Sequence, residues 1–143
     1  MPIPALLLVL SVFGFLISFY FVMLQYRWMS PQLPILPRIC LMDQRSCNAI
    51  LFTRDARILG IPNSLPGMAY YLAIMTPILV PQFRTDISIR VLSSLSIVTV
   101  VMGVYLTYSL LFKLDTRCML CFTAHIINVT IMILLMAYIP QPA

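Results

Sequence analysis

Charge is absent from four long stretches of the chain, at about 4–25, 64–81, 91–112 and 118–139, and polar residues gather between them. A helix that crosses a bilayer needs roughly 20 mostly apolar residues, and each stretch offers about that length. No period-two alternation runs through them, which argues against a membrane β-barrel. In hydrocarbon the remaining way to satisfy each backbone N–H and C=O is a helix. The pattern therefore predicts an all-α integral membrane protein: a four-transmembrane-helix bundle forming a single transmembrane domain over residues 1–143. The first stretch, "PALLLVLSVFGFLISFYFVMLQ", lacks a basic start and a small-residue cleavage site and outruns a signal-peptide core. It is expected to stay in the mature protein. Pro77 is expected to kink the second span.

The connections are unequal. Residues 26–63 form the longest, and a loop of that length is usually functional or disordered. Its apolar positions Ile35, Leu36, Ile39, Leu41, Ile50, Leu51, Phe52, Ile58 and Leu59 argue for order. Pro31, Pro34 and Pro37 favour an extended start, and the positions after Cys47 suit a short amphipathic helix. The segment is read as a cap lying on the membrane surface. "QFRTDISIR" (82–90) then turns on the opposite face, and "KLDTR" (113–117) turns on the same face as the cap. That parity brings Cys118 and Cys121 to the surface where Cys40 and Cys47 lie.

Composition sharpens the class. The chain is 62% hydrophobic and only 9% charged, with a mean hydropathy of +1.01, against roughly 25% charged residues in soluble domains. Its net charge of +5 comes from nine Lys and Arg against four Asp. Arg27, Arg38, Arg45, Arg54 and Arg57 fall in the cap, with few aromatic residues beside them, so contact with lipid headgroups is a better reading than nucleic acid.

The cysteines carry the candidate chemistry. All of Cys40, Cys47, Cys118 and Cys121 fall on one expected face, whereas structural membrane cysteines more often scatter through the spans. Four cysteines allow three pairings, and Cys40 with Cys47 and Cys118 with Cys121 are the local ones. Cys118 is expected to open a helix capped by Asp115 or Thr116, where the helix dipole stabilises a thiolate. Cys121 follows one turn deeper, and a pair at this spacing closes a readily opened disulfide. His125, at i+4 from Cys121, shares its helical face and offers a proton or a hydrogen bond there. A metal alternative stays open: Cys118, Cys121 and His125 offer three ligands, with Cys40 or Cys47 as a fourth. The ten methionines form no ladder and read as packing, and no metal site is assigned.

Taken together, the chain resembles the vitamin K epoxide reductase family, its bacterial quinone-linked branch above all. Four spans, a loop cysteine pair after the first, "ILGIPNSLPGMAYY" (58–71), "GVYLTY" (103–108) and "CMLC" opening the last span carry the resemblance over nearly the whole length. It implies that Cys118 and Cys121 are the active-site pair, with Cys121 addressing a quinone of the ubiquinone or menaquinone (vitamin K) type and Cys118 exchanging with the loop. It implies that Cys47 attacks Cys118 and Cys40 meets an outside thiol. Asn63 matches an asparagine that hydrogen-bonds a quinone carbonyl, and Thr53 matches a serine that supports the loop. There are departures too. His125 stands where many animal members have a tyrosine at the quinone, Asp55 replaces a frequent aromatic, and the six residues between Cys40 and Cys47 are one fewer than in animal enzymes. With no fused thioredoxin-like domain, the expected partner is a separate thioredoxin-like protein, periplasmic or lumenal.

The expected activity is therefore that of a quinone-dependent thiol-disulfide oxidoreductase that generates disulfides. Orientation divides the signals. The basic residues crowd the cap and "KLDTR", leaving only Arg84 and Arg90 opposite, which by the positive-inside rule places the cysteines in the cytoplasm. Disulfide chemistry belongs on the exoplasmic face, and a cap folded on the surface does not behave as a free loop. The expectation taken is exoplasmic cysteines on a prokaryotic plasma membrane, or on the ER membrane in a eukaryote. The rival class is a non-enzymatic thiol-based carrier of copper or zinc.

Overall fold

The computed structural model describes residues 2–26, 57–58, 60–113 and 119–139. Its elements are α1 (Ile3–Gln25), a two-residue ladder of β1 (Arg57–Ile58) and β2 (Ile61–Pro62), α2 (Ser64–Leu79), α3 (Asp86–Tyr108) and α4 (Met119–Tyr138). A 3₁₀ turn at Pro81–Phe83 joins α2 to α3, and α3 runs on through a π turn at Ser109–Lys113. α1 lies against α2 and α4, and α3 lies mainly against α4.

Large apolar side chains on α1, α3 and α4 face outward. Phe13 is 57% exposed, Val104 66% and Ile126 67%. Helices apolar on all sides suit lipid surroundings. Among the described residues, α1, the continuous run Asp86–Lys113 and α4 are long and apolar enough to cross a membrane. α2 has 16 residues, about 24 Å of helix against a hydrocarbon core of roughly 30 Å.

Helix ends follow the local chemistry. Pro4 falls in the first turn of α1, where a missing N–H costs nothing. Thr85 caps α3: its Oγ1 accepts from the Ser88 N–H at 3.1 Å, with Asp86 in the first turn. The third span thus begins at Asp86 rather than near 91, because this cap and its acidic neighbour recruit residues 86–90 from the expected connection into the helix. Pro77 sits in the last turn of α2, two residues before its end, where Thr76 Oγ1 donates back to the Leu72 carbonyl at 2.8 Å. The helix ends at Leu79, two residues short of the expected limit at 81.

A second correction concerns residues 57–62. Ile58 belongs to a β-ladder, pairing with Ile61, and not to a surface helix. Gly60, at φ +83°, supplies the left-handed conformation that closes this tight reversal. The rest of the expected cap helix, with Thr53 and Asp55, lies outside the described residues.

Two seams of small residues let the helices approach. On α1 the buried small positions are Ser11, Gly14 and Ser18, of which Gly14 and Ser18 meet α2. The Tyr71 ring occupies the space over Gly14, and Ser18 fills the space over Gly67. On α3 the buried small positions are Ser93, Ser96 and Gly103. Lipid tails are as apolar as leucine, so close packing of this kind is what holds membrane helices together. Polar pairs fasten the same contacts. Tyr71, 2% exposed, donates its hydroxyl to Asn128 Oδ1 at 2.6 Å, joining α2 to α4. The Tyr70 and Ser96 hydroxyls share a 2.7 Å bond joining α2 to α3. Leu7, Tyr70, Tyr71, Ile74, Leu92, Ile127, Ile131 and Leu135 form the core around them.

The magnitudes rank these terms. A hydrogen bond between membrane helices contributes about 0.6 kcal/mol and at most about 1.7, whereas overfilling a packed core costs about 1–3 kcal/mol. Gly14→Ala, whose methyl lands on the Tyr71 ring, is therefore expected to destabilise by about 2 kcal/mol, and Tyr71→Phe by about 1 kcal/mol. Reversible unfolding in mixed micelles measures both, and a Tyr71→Phe loss exceeding that of Gly14→Ala would refute the ranking.

Candidate functional site

At the end of the bundle that carries the site, a hydrogen bond joins α1 to α2. Ser64 Oγ, opening α2, donates to Gln25 Oε1, closing α1, at 2.7 Å. Asn63 stands at the N-cap position of α2, half-buried, and its side chain makes no capping hydrogen bond. An asparagine at a cap usually bonds its own helix. Here that work is not asked of it.

Cys121 lies in the first turn of α4, half-buried, at the same end. It packs on the apolar cluster of Phe21 and Leu24 from α1 and Leu110 from the π turn, with Leu120 beside it. His125, one turn deeper, lies over Gly103 of α3: its Nδ1 is buried, and a Cβ at position 103 would stand 2.8 Å from it. Cys121 thus meets α1 and the π turn, and His125 meets α3. Asn63 shares their end of the bundle. Cys40, Cys47 and Cys118, and the capping residues Asp115 and Thr116, lie outside the described residues, so the two cysteine pairs and the four-cysteine metal alternative do as well.

The π turn delivers Leu110 to this cluster. π turns are rare and recur at functional sites, and this one ends at Lys113, five residues before Cys118 in the chain. Around it lie Tyr105, Tyr108, Phe112 and Lys113, with Lys113 Nζ 5.5 Å from the Tyr105 ring centre and the rings of Tyr108 and Phe112 5.1 Å apart. With Tyr20 on α1 and Tyr26 at its C-cap, these make an aromatic and cationic belt of the kind that sits at headgroup level. The site end thus has the composition of a headgroup-level belt, next to the apolar cluster of Phe21, Leu24 and Leu110.

Sequence reasoning overlooked Asn128, Tyr71 and Gly103, which shape the interior next to His125. Asn128 carried a usable signal: an amide in the middle of an apolar span almost always faces the bundle and has a partner. Gly103 carried only the weak signal of a glycine inside a helix.

An α-helical bundle with helices long and apolar enough to cross a membrane, and a cysteine seated in an apolar cluster in the first turn of α4, defines a helical membrane protein by class. The chain belongs to the vitamin K epoxide reductase family, whose model matches residues 5–136. It is accordingly an integral membrane protein with the family's general activity, oxidoreduction between thiols and quinones.

The apolar setting of Cys121 yields a direct expectation. In a protein whose other cysteines are replaced by serine, Phe21→Ala opens the cluster and speeds alkylation of Cys121 by a small maleimide severalfold. Alkylation at an unchanged rate would show that Phe21 does not shield the thiol.

Proposed function

We propose that this chain is a disulfide-generating enzyme of the bacterial, quinone-linked branch, forming one four-span domain with α2 as the fourth span. The observation that carries the reading is the seat of Cys121, a half-buried sulfur among Phe21, Leu24 and Leu110 at the membrane surface. The residues around it suit a quinone headgroup: an apolar wall on one side, a histidine one turn deeper, and an uncommitted asparagine at the same end.

Electrons enter from a separate thioredoxin-like protein whose dithiol reduces the Cys40–Cys47 disulfide and leaves oxidised. The Cys47 thiolate then attacks the Cys118 sulfur, a Cys47–Cys118 bond forms, and Cys121 leaves as thiolate. Cys40 resolves the mixed disulfide at Cys47 and frees Cys118. Quinone, when bound, takes up two electrons and two protons as the Cys118–Cys121 disulfide re-forms. Asn63 and His125 donate hydrogen bonds to the quinone oxygens, where negative charge grows. The positive end of the α4 dipole favours the thiolate form of Cys118. The cysteines face the exoplasmic side of a prokaryotic plasma membrane, or the lumen if the membrane is that of the ER, because disulfides persist there.

Purified protein mixed with a reduced thioredoxin-like partner and a soluble ubiquinone or menaquinone analogue should form quinol. Cys121→Ser should abolish it, and Asn63→Ala should lower turnover by about 10²-fold, the usual cost of one oxyanion donor. Quinol formation that survives Cys121→Ser rejects the assignment. Stoichiometric copper or zinc on the reduced cysteines without quinol formation favours a metal carrier. After reduction, an impermeant maleimide should label Cys40 on intact cells; a lack of labelling would reverse the orientation.

A further inference from the structure

Each helical glycine here has a definite reason. Gly14 makes room for the Tyr71 ring and Gly67 for Ser18, both structural contacts between α1 and α2. Gly103 makes room for the imidazole of His125. A Cβ at 103 would lie 2.8 Å from Nδ1 and 3.5 Å from both Cε1 and Cγ, so the ring lies along the helix backbone where a side chain is missing. The helix around Gly103 is otherwise well bonded, because Thr107 Oγ1 donates to the Gly103 carbonyl at 2.8 Å. A glycine in a helix interior is costlier than alanine, and no left-handed backbone is needed at this position. The remaining demand is space for the ring.

We propose that Gly103 is a positioning residue: the notch it leaves in α3 seats the Nδ1 edge of His125 and thereby sets which edge of the imidazole is presented to quinone. The proposal rests on the reading that His125 bonds a quinone oxygen. An imidazole has few torsions, so seating one edge orients the whole ring. His125 is four residues from Cys121, about 6 Å along the axis, and shares its face. A ring expelled from the notch would move its donor relative to the cysteine sulfur, and misplacement of a reacting group by about 1 Å can cost on the order of 10²-fold in rate.

The chain has a single histidine, so protein labelled with ¹⁵N-histidine shows one imidazole by NMR. In Gly103→Ala its two ring-nitrogen signals should shift, and quinone reduction should slow by about tenfold to a hundredfold with reduction by the thiol partner unchanged. In a His125→Ala background, adding Gly103→Ala should change turnover less than twofold. Unchanged imidazole signals in Gly103→Ala, or losses that multiply in the double variant, overturn the proposal. If Gly103→Ala does not fold, the double variant, which lacks the clashing ring, should fold; its failure to do so also overturns it. Wild-type protein that reduces no quinone would overturn the underlying quinone reading, and the NMR comparison would then still show whether Gly103 seats the ring.

Discussion

The bundle depends on the close approach of α1 and α2 at Gly14, where the ring of Tyr71 lies in the space that a side chain would take. Water is absent between membrane helices, so burying another leucine stabilises little; contact density and satisfied polar groups decide which helices associate. Tyr71 supplies both. Its ring fills the notch on α1, and its hydroxyl reaches Asn128 on α4. One side chain therefore sets three helices against each other, and the second tyrosine, Tyr70, adds α3 through Ser96.

From that fixed middle the site end follows. Because α4 is held at Asn128, its first turn, with Cys121, and its second, with His125, come to set positions beside α1 and α3. The thiol meets Phe21, Leu24 and Leu110, and the imidazole meets Gly103. The site uses opposite physical settings one turn apart: an apolar wall around the sulfur and a backbone notch around the ring. The belt of Tyr20, Tyr26, Tyr105, Tyr108, Phe112 and Lys113 suits this end to headgroup level.

Much of this was legible in the chain. Runs without charge located α1 and α4 to within a residue or two, because partition into lipid depends on composition over a whole turn-by-turn stretch rather than on any one side chain. The i+4 spacing set Cys121 and His125 one turn apart on α4, but their neighbours differ: the thiol meets α1 and the π turn, the imidazole meets α3. Less legible were features that depend on a single cap or turn. Thr85 and Asp86 extended α3 into what read as a loop, and Gly60 made a β-reversal where apolar spacing suggested a helix.

The amino-acid sequence by itself determined the class of solvent, the long helices and the residues available for redox chemistry, since these follow from hydropathy, spacing and reactivity along the chain. Only the tertiary structure decided what each residue faces. That Tyr71 pairs with Asn128, 57 positions away, or that Gly103 lies under His125, depends on the rotation and depth of helices that meet across the bundle. Those are set by the joint fit of surfaces, and no local pattern encodes them.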